Sequence, residues 1–332
     1  MFAAVRIQVV IPLLPKLRPA LVASVLGLLY LMSNTPGAAW KSAFRDRSAQ
    51  LMFLYYGWAL VTVPFALYPG LAFDSATTPV LAQVAIVLAT LVTAPTSTNL
   101  RILERFWAYG TAAHLAGMVA LGVAVDGRVF TTTGYDPNDY AAMAAMVFPL
   151  CMGLVQREKG FWKAIALGCA VVLVLGVVKT GSRGGTLALV AGALFYVLAA
   201  RGARKALSIA LFVFGGMAAW AVAPPSYKQR MYALVEGEQD YNYTDYGGRK
   251  QIWARSRIYI ARHPVAGVGI GNFPIIEGQY LEEQGKVGKW STAHNSYYQA
   301  GVELGIFGGL LFMVQILVSY RRGGACGGLD RG

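Results

Sequence analysis

Runs of about 20 mostly apolar residues recur along this chain of 332 residues, and the charged residues lie between the runs. A helix rises about 1.5 Å per residue, so a run of this length matches the apolar core of a bilayer, which is about 30 Å thick. Apolar residues make up 56% of the chain and charged residues 14%, whereas soluble domains have about 45–50% and about 25%. The sequence therefore predicts a membrane protein, and it excludes a disordered chain or a secreted disulfide scaffold.

About nine of these runs are predicted to cross the membrane. The predicted spans are 51–73, 77–95, 106–125, 139–156, 163–180, 184–200, 205–223 and 297–320, with a further one inside 7–32. The runs are too long for strands of a β-barrel, and they do not alternate apolar with polar residues. We expect an all-α, polytopic transmembrane helical bundle that forms a single integral membrane domain over 1–332.

The charges of the connecting segments predict which side each segment faces. Lysines and arginines gather in every second connection: Lys41, Arg45, Arg47, Arg101, Arg105, Arg157, Lys159, Lys163, Arg201, Arg204, Lys205, Arg321 and Arg322. Cytoplasmic loops are enriched in these residues, so the segments 126–138 and 180–184 and a large loop, 224–293, are predicted to be extracytoplasmic. The net charge of +13 is spread over such clusters, which fits contact with membrane lipid and gives no sign of nucleic-acid binding.

A glycine-rich turn with one arginine, TGSRGG at 180–185, joins two predicted spans on the outer side. Arg183 stays charged at any relevant pH, and glycines let backbone N–H groups approach a ligand. The next helix begins at about Gly184 and directs the positive end of its dipole towards the same place. These features predict an anion site, although an arginine that reaches to lipid headgroups would explain them equally well.

An arginine-rich stretch, 249–262, lies inside the large loop and alternates cations with apolar residues. The pattern predicts an amphipathic helix on the bilayer surface, with Lys250, Arg257 and Arg262 facing the headgroups. The next segment, HPVAGVGIGNF at 263–273, has a G-x-G-x-G spacing without the strand and helix of a dinucleotide site. It is predicted to be a tight extracytoplasmic loop.

His294 ends the large loop, and Asn295 follows it at the start of the last predicted span. An unperturbed imidazole titrates at about pH 6.5, so it is able to accept a proton from a hydroxyl near neutral pH. Glu303 lies nine positions further on, on the opposite face of a continuous helix at about 100° per residue. The sequence therefore does not pair the two, and a structural hydrogen bond explains Glu303 as well as a functional role does.

Asp136 precedes the predicted span 139–156 in the segment Asp136-Pro137-Asn138-Asp139. A helix cap by Asn138 or Asp139 accounts for the segment. The alternative is that Asp136 or Asp139 pairs with an outer arginine and positions it.

These motifs form an ordered set over about 130–310. They are Asp136-Pro137-Asn138, Ser182-Arg183-Gly184-Gly185, Gly248-Arg249 with Trp253, Pro264 with Gly267 and Gly269, and His294-Asn295 with Glu303 and Gly305. The set resembles the O-antigen ligase and O-antigen polymerase-like superfamily of polytopic membrane glycosyltransferases. That family usually continues with several spans after the His-Asn motif, whereas one span follows here. Residues 321–332 are therefore expected to be an atypical tail, disordered or truncated.

The resemblance implies a metal-independent glycosyltransferase without a cofactor, working on the outer face of the bacterial inner membrane in lipopolysaccharide or other polysaccharide biosynthesis. Its donor would be an undecaprenyl-diphosphate-linked glycan, and its acceptor the lipopolysaccharide core, another glycan or a protein. The resemblance further implies that Arg183 and Arg249 bind the diphosphate and that His294 is the catalytic base. The expected supporting residues are Ser182, Asn295, Glu303 and Asp136.

The chemistry of the reaction agrees with these residue types. A diphosphate leaving group is a weak base that needs charge neutralisation, and arginines supply it through charge-assisted hydrogen bonds. A sugar hydroxyl is a poor nucleophile that needs a base. The chain has no Asp-x-Asp pair for a metal-bound nucleotide sugar and no Walker-type loop for ATP.

Several functions remain open on the sequence alone. Transfer to an acceptor and polymerisation with a second lipid-linked unit use the same motifs. A transporter of the same lipid-linked glycan is an alternative from another class. Transporters often show charges near the bilayer midplane and repeated halves, whereas here the midplane is nearly bare of charge, the candidate charges cluster outside and no repeat is visible. A scaffold without chemistry is a further alternative, and it would require neither Arg183 nor His294.

Overall fold

A computed structural model of the chain describes residues 19–93, 97–125, 128–130, 136–200, 202–236, 245–288 and 290–326. The described residues form 14 helices, and one of these is a 3-10 turn at Val63–Phe65. The α-helices are α1 (Pro19–Asn34), α2 (Gly37–Arg45), α3 (Arg47–Val61), α4 (Pro69–Thr93), α5 (Ser97–Leu121), α6 (Pro137–Arg157), α7 (Gly160–Thr180), α8 (Arg183–Ala199), α9 (Ala203–Val222), α10 (Pro225–Glu236), α11 (Arg249–Arg262), α12 (Phe273–Glu283) and α13 (Ser296–Cys326). The predicted helical class is confirmed.

A small antiparallel hairpin adds to the helices. Its strands are β1 (Val123–Val125) and β2 (Arg128–Phe130), with Ala124 opposite Val129. The hairpin occupies the end of the predicted span 106–125, because α5 already ends at Leu121.

Fewer helices than predicted have the length and composition of a membrane span. Within the described residues these are Pro137–Arg157, Gly160–Thr180 and Ser296–Arg321, and the pair Ser208–Val222 and Pro225–Tyr232, bent by 117°, makes a fourth if it is one span. The protein is therefore a multi-pass membrane protein with three or four candidate crossings, and about nine crossings stay a prediction.

The predicted span 51–73 is wrong as a continuous helix. The chain leaves α3 after Val61, makes the 3-10 turn and starts α4 at Pro69. Pro64 and Pro69 lack the N–H that a continuing helix needs, which accounts for the break. The predicted span inside 7–32 falls only partly on described residues, since α1 begins at Pro19 and residues 7–18 lie outside them. In the tail, α13 runs on to Cys326, and 327–332 also lie outside the described part.

The described helices fall into two compact units. The first unit contains α5 to α10 and the hairpin, and its core is made by α6 together with α5, α7 and α8. Small residues bring these helices close: a Cβ atom added to Gly176 would lie 2.2 Å from Cδ2 of Leu115, and one added to Gly185 would lie 2.2 Å from Cβ of Ala141. Close backbone approach through glycine and alanine is typical of helix packing in membranes.

The second unit contains α1 to α4 and α11 to α13. Its core joins residues of the large loop to the last helix. The buried members are Ile252, Tyr259, Val268, Phe273, Ala293 and Val302. The large loop is thus mostly helical, and in this unit its helices α11 and α12 pack against α13.

The last helix is broken at Gly305, which has φ 71° and ψ −174°. The break exposes carbonyl groups of the preceding turn, and the glycine loop at 263–272 satisfies them: Val268 N–H donates to Val302 O and Gly269 N–H donates to Glu303 O, each at 2.9 Å. In return, Ile306 N–H donates to Pro264 O at 2.9 Å. The predicted tight loop is confirmed, and the structure shows what it does, since it replaces the hydrogen bonds that the broken helix lacks.

Replacing Gly305 with alanine should lower the stability of the protein by about 1–3 kcal/mol or more, the cost typical of a strained backbone. A Cβ atom there would lie 2.2 Å from Val265 O, at a positive φ. Gly57→Ala is the matched control, because a Cβ on this helical glycine meets nothing within 4 Å. Thermal unfolding of the detergent-purified variants at one scan rate measures the difference, and equal melting temperatures would contradict the expectation.

Candidate functional site

The turn at 180–185 that carries Arg183, here called the arginine turn, lies in the first unit. Its shape is set by Gly181 and Ser182, the two residues before Arg183. Gly181 ends α7 in the left-handed region, with φ 63° and ψ 20°, which glycine adopts without strain. Ser182 caps α8: its Oγ accepts a hydrogen bond from Gly185 N–H at 3.1 Å, and the residue is buried. Arg183 is then the first residue of α8, half-exposed at the positive end of the helix dipole.

The two glycines after Arg183 differ in what they do. Gly185 packs against Ala141 of α6, and its N–H is used by Ser182, so it is not available to a ligand. This corrects the expectation that both glycines let the backbone approach an anion. Gly184 is exposed, and a Cβ there would meet nothing within 4 Å.

Arg128 ties the arginine turn to the start of α6. Its Nε donates to Thr180 O at 2.9 Å, and its Nη2 donates to Asn138 Oδ1 at 3.2 Å. Asp136 Oδ1 lies 3.8 Å from the same Nη2. Asp136 also caps α6 by accepting from Asn138 N–H at 2.7 Å, so the cap is Asp136 and not Asn138 or Asp139 as predicted. Asp136 does pair with an arginine, and that arginine is Arg128.

In the second unit, Arg249 is the first residue of α11. Gly248 precedes the helix without a side-chain cap, and Asp245 stabilises the turn by accepting from Gly247 N–H at 2.9 Å. The guanidinium of Arg249 is half-exposed and makes no hydrogen bond or ion pair with another described residue. It is available to an anion at the positive end of α11.

Trp253 links the helix of Arg249 to the segment of His294. Its Nε1 donates to Ala293 O at 2.9 Å, and its ring stacks on Tyr298 with centroids 6.2 Å apart. Arg249 and Trp253 are four residues apart on one helix, so they project from the same face about one turn apart. The face of α11 that carries Arg249 is therefore the face bonded to the residue before His294.

His294 is exposed and has φ 50°, in the left-handed region that few non-glycine residues adopt. Asn295 caps α13, because its Oδ1 accepts from Tyr297 N–H at 3.0 Å and Tyr298 N–H at 3.3 Å. The cap fixes where the helix starts, and His294 lies two residues before its first residue, Ser296. Strain of this kind clusters at functional sites.

Glu303 stabilises the backbone beside His294 indirectly, through hydrogen bonds that run by way of Gln299. Its Oε1 accepts from Gln299 Nε2 at 2.6 Å and from Phe273 N–H at 3.3 Å. Gln299 Oε1 in turn accepts from Ala293 N–H at 3.0 Å. Glu303 does not touch His294, in line with its expected position on the other face, and it holds together α12, α13 and the residue before His294.

A buried ion pair inside the large loop was missed by the sequence analysis. Arg255 is 8% exposed and Glu277 is 1% exposed, with Arg255 Nε 3.0 Å from Glu277 Oε1. Tyr259 Oη donates to Glu277 Oε2 at 2.8 Å, and Arg255 Nη2 donates to Tyr246 O at 2.8 Å. Arg255 thus faces the core of the unit, while Arg257 and Arg262 are exposed on α11.

The two ionisable neighbours of Glu277 respond to burial and charge. Burial alone would lower the pKa of the Arg255 guanidinium, but its hydrogen bond to Glu277 and the carboxylate charge outweigh burial, so the pKa lies above its usual value. Burial, followed by the hydrogen bond to Glu277, raises the pKa of the Tyr259 hydroxyl. Arg255 therefore stays charged and Tyr259 neutral at any relevant pH.

The expected site residues form two groups. Arg249, His294, Asn295 and Glu303 belong to the second unit, and Ser182, Arg183 and Asp136 belong to the first. Residues 168–313 match the O-antigen ligase family. This part of the chain belongs to that family. A comparison with curated proteins gives no match.

The O-antigen ligase region contains six of the seven expected site residues, and only Asp136 precedes it. The family implies a glycosyltransferase-type enzyme with lipid-linked glycan substrates, of the O-antigen ligase or polymerase type. Among the residues that the structure describes, no three His, Cys, Asp or Glu side chains are grouped to hold a metal ion.

Proposed function

We propose that this protein is a membrane glycosyltransferase that moves an undecaprenyl-diphosphate-linked glycan to a sugar hydroxyl on the outer face of the bacterial inner membrane, without a metal. The hydroxyl oxygen of the acceptor attacks the anomeric carbon of the donor. The bond from that carbon to the diphosphate breaks, and the lipid diphosphate leaves with the electron pair. The proton of the hydroxyl passes to the imidazole of His294.

The hydrogen bond from Trp253 to Ala293 carries this proposal. It joins the helix that starts with Arg249 to the residue before His294, which supports a site where Arg249 binds an anion and His294 acts as a base. Asn295 and Glu303 hold the backbone on either side of the imidazole. A cation for the leaving group and a base for the nucleophile are the two functions that the reaction requires.

Arg183 is proposed as the second cation on the diphosphate. It lies at the helix start after a turn fixed by Gly181, Ser182 and Arg128. The distribution of lysine and arginine, with about nine crossings, supports an extracytoplasmic position for Arg183, Arg249 and His294 alike.

Replacing Arg183 or Arg249 with glutamine should raise the Kd for undecaprenyl diphosphate about 10–100-fold, the effect of losing a hydrogen bond to a charged group. Binding to the purified protein in nanodiscs measures the effect. Arg257→Gln is the matched control, since it removes the same charge from an exposed position on α11. Unchanged binding in both site variants, or equal loss in the control, would contradict the diphosphate assignment.

Complementation of a ligase-deficient and a polymerase-deficient bacterial strain separates the two reactions of the family. Restored glycan on the lipopolysaccharide core indicates a ligase, and lengthened chains indicate a polymerase. We expect the first result, because the matched family is that of O-antigen ligase. Restoration of neither glycan, with the protein present in the membrane, would count against the proposed function.

A further inference from the structure

The helix α10 turns sharply away from the direction of α9. The chain bends by 117° between residues 208–222 and residues 225–232, with Pro224 and Pro225 at the bend. Tyr227 is 5% exposed and packs with Val178 and Ala223. Its hydroxyl lies 2.9 Å from Oγ1 of Thr186, so α10 is bonded to the first turn of α8.

Arg230 follows Tyr227 by three residues, so the two project from the same face of α10. A Cβ atom placed on Gly181 would lie 3.6 Å from Cδ of Arg230 and 3.1 Å from Cγ of Arg128. The side chain of Arg230 therefore runs alongside the arginine turn. Arg183 is two residues further along the same turn, at most about 7.6 Å away from Gly181 between Cα atoms.

The arginines at this turn are used differently. Arg128 donates hydrogen bonds to Thr180 O and Asn138 Oδ1 within the protein, so these N–H groups are not available to a ligand. Arg230 is half-buried and makes no hydrogen bond or ion pair with another residue of the described part. Asp136 lies 3.8 Å from Arg128 Nη2 and offsets part of its charge, and an anion bound beside Arg230 would reduce the repulsion that remains between Arg128 and Arg230.

We propose that Arg230 is a third cation that binds the diphosphate of the lipid-linked donor. The helix α10, which is bonded to the first turn of α8, positions Arg230 beside the arginine turn. The proposal rests on the proposed function, since it takes Arg183 to contact the same diphosphate. The Tyr227–Thr186 contact sets the position of α10, and the side chain of Arg230 lies beside the buried Gly181 of the turn.

Binding of undecaprenyl diphosphate and of undecaprenyl monophosphate to the full chain in nanodiscs tests the proposal. Arg230→Gln is expected to raise the Kd for the diphosphate about 10–100-fold and the Kd for the monophosphate less, because fewer cations suffice for one phosphate. Arg230→Lys should raise the Kd for the diphosphate several-fold, because an ammonium group lacks the planar pair of donors with which a guanidinium binds two phosphate oxygens. Lys228→Gln, which removes one charge from the same helix, should stay within about twofold.

Each outcome separates this proposal from the one on which it rests. Wild-type binding in both Arg230 variants, with a loss in Arg183→Gln, overturns the role of Arg230 and leaves the proposed function standing. A loss in the Arg230 variants without a loss in Arg183→Gln overturns the shared site, because the proposal takes both arginines to contact the same diphosphate. A wild-type protein that binds no undecaprenyl diphosphate overturns both. If Arg230→Gln does not fold, Arg230→Lys decides, and an unchanged Kd overturns the proposal.

Discussion

Replacing His294 with alanine is expected to slow glycan transfer by about 10²–10⁴-fold, the range that a positioned general base contributes. His294 is exposed just before the start of α13, and its backbone has a positive φ of 50°. Donor binding should change little, because the diphosphate is assigned to arginines. Single-turnover transfer with purified protein and a saturating lipid-linked donor measures the rate.

The positive φ of His294 makes asparagine the more informative replacement. Asparagine adopts the left-handed region more readily than alanine does, so His294→Asn removes the base with the least change to the backbone. Both variants should lose transfer to the same extent. His263→Ala is the control, because it removes another half-exposed imidazole in the same unit. Normal surface polysaccharide in a strain carrying His294→Asn would refute the base assignment.

The local parts of the site were predictable because they depend on residues close together in sequence. Ser182 and Asn295 are side chains that cap helices, and each stands where an apolar run begins. Arg183 follows from a related signal, as a cation at a helix start beside glycine, whereas Arg249 was singled out by the resemblance to the O-antigen ligase superfamily. The helical starts at Arg183 and Ser296 therefore agree with the predicted spans to within a few residues.

The remaining parts depend on contacts that no local pattern encodes. Glu277 lies 22 residues from Arg255, and nothing in the sequence distinguishes Arg255 from the exposed Arg257. The break at Gly305 needs the glycine loop to satisfy the freed backbone groups, so an apolar run alone predicts a continuous helix. Arg230 was missed because its place beside Gly181 depends on the bend before α10.

Replacing Glu277 with alanine is the change expected to destabilise the protein most, by about 3–5 kcal/mol, because it leaves Arg255 buried without a counter-charge. It also removes the acceptor of the Tyr259 hydroxyl. Arg255 is unable to relieve the cost by losing its proton, since guanidinium stays charged. Thermal unfolding of detergent-purified protein should show the loss, and Glu283→Gln, which alters an exposed carboxylate at the end of α12, should not.

The double replacement Arg255→Met with Glu277→Leu distinguishes an unpaired charge from a general loss of packing. Apolar residues in place of a buried ion pair are often neutral or stabilising, so the double variant should recover part of what Glu277→Ala loses. Recovery stays partial, because Tyr246 O and the Tyr259 hydroxyl lose their partners. Arg249 starts the helix that this pair fixes, so Glu277→Ala should also weaken donor binding, and the double variant should restore it. A double variant as unstable as Glu277→Ala would show that the ion pair is not what holds α11 in place.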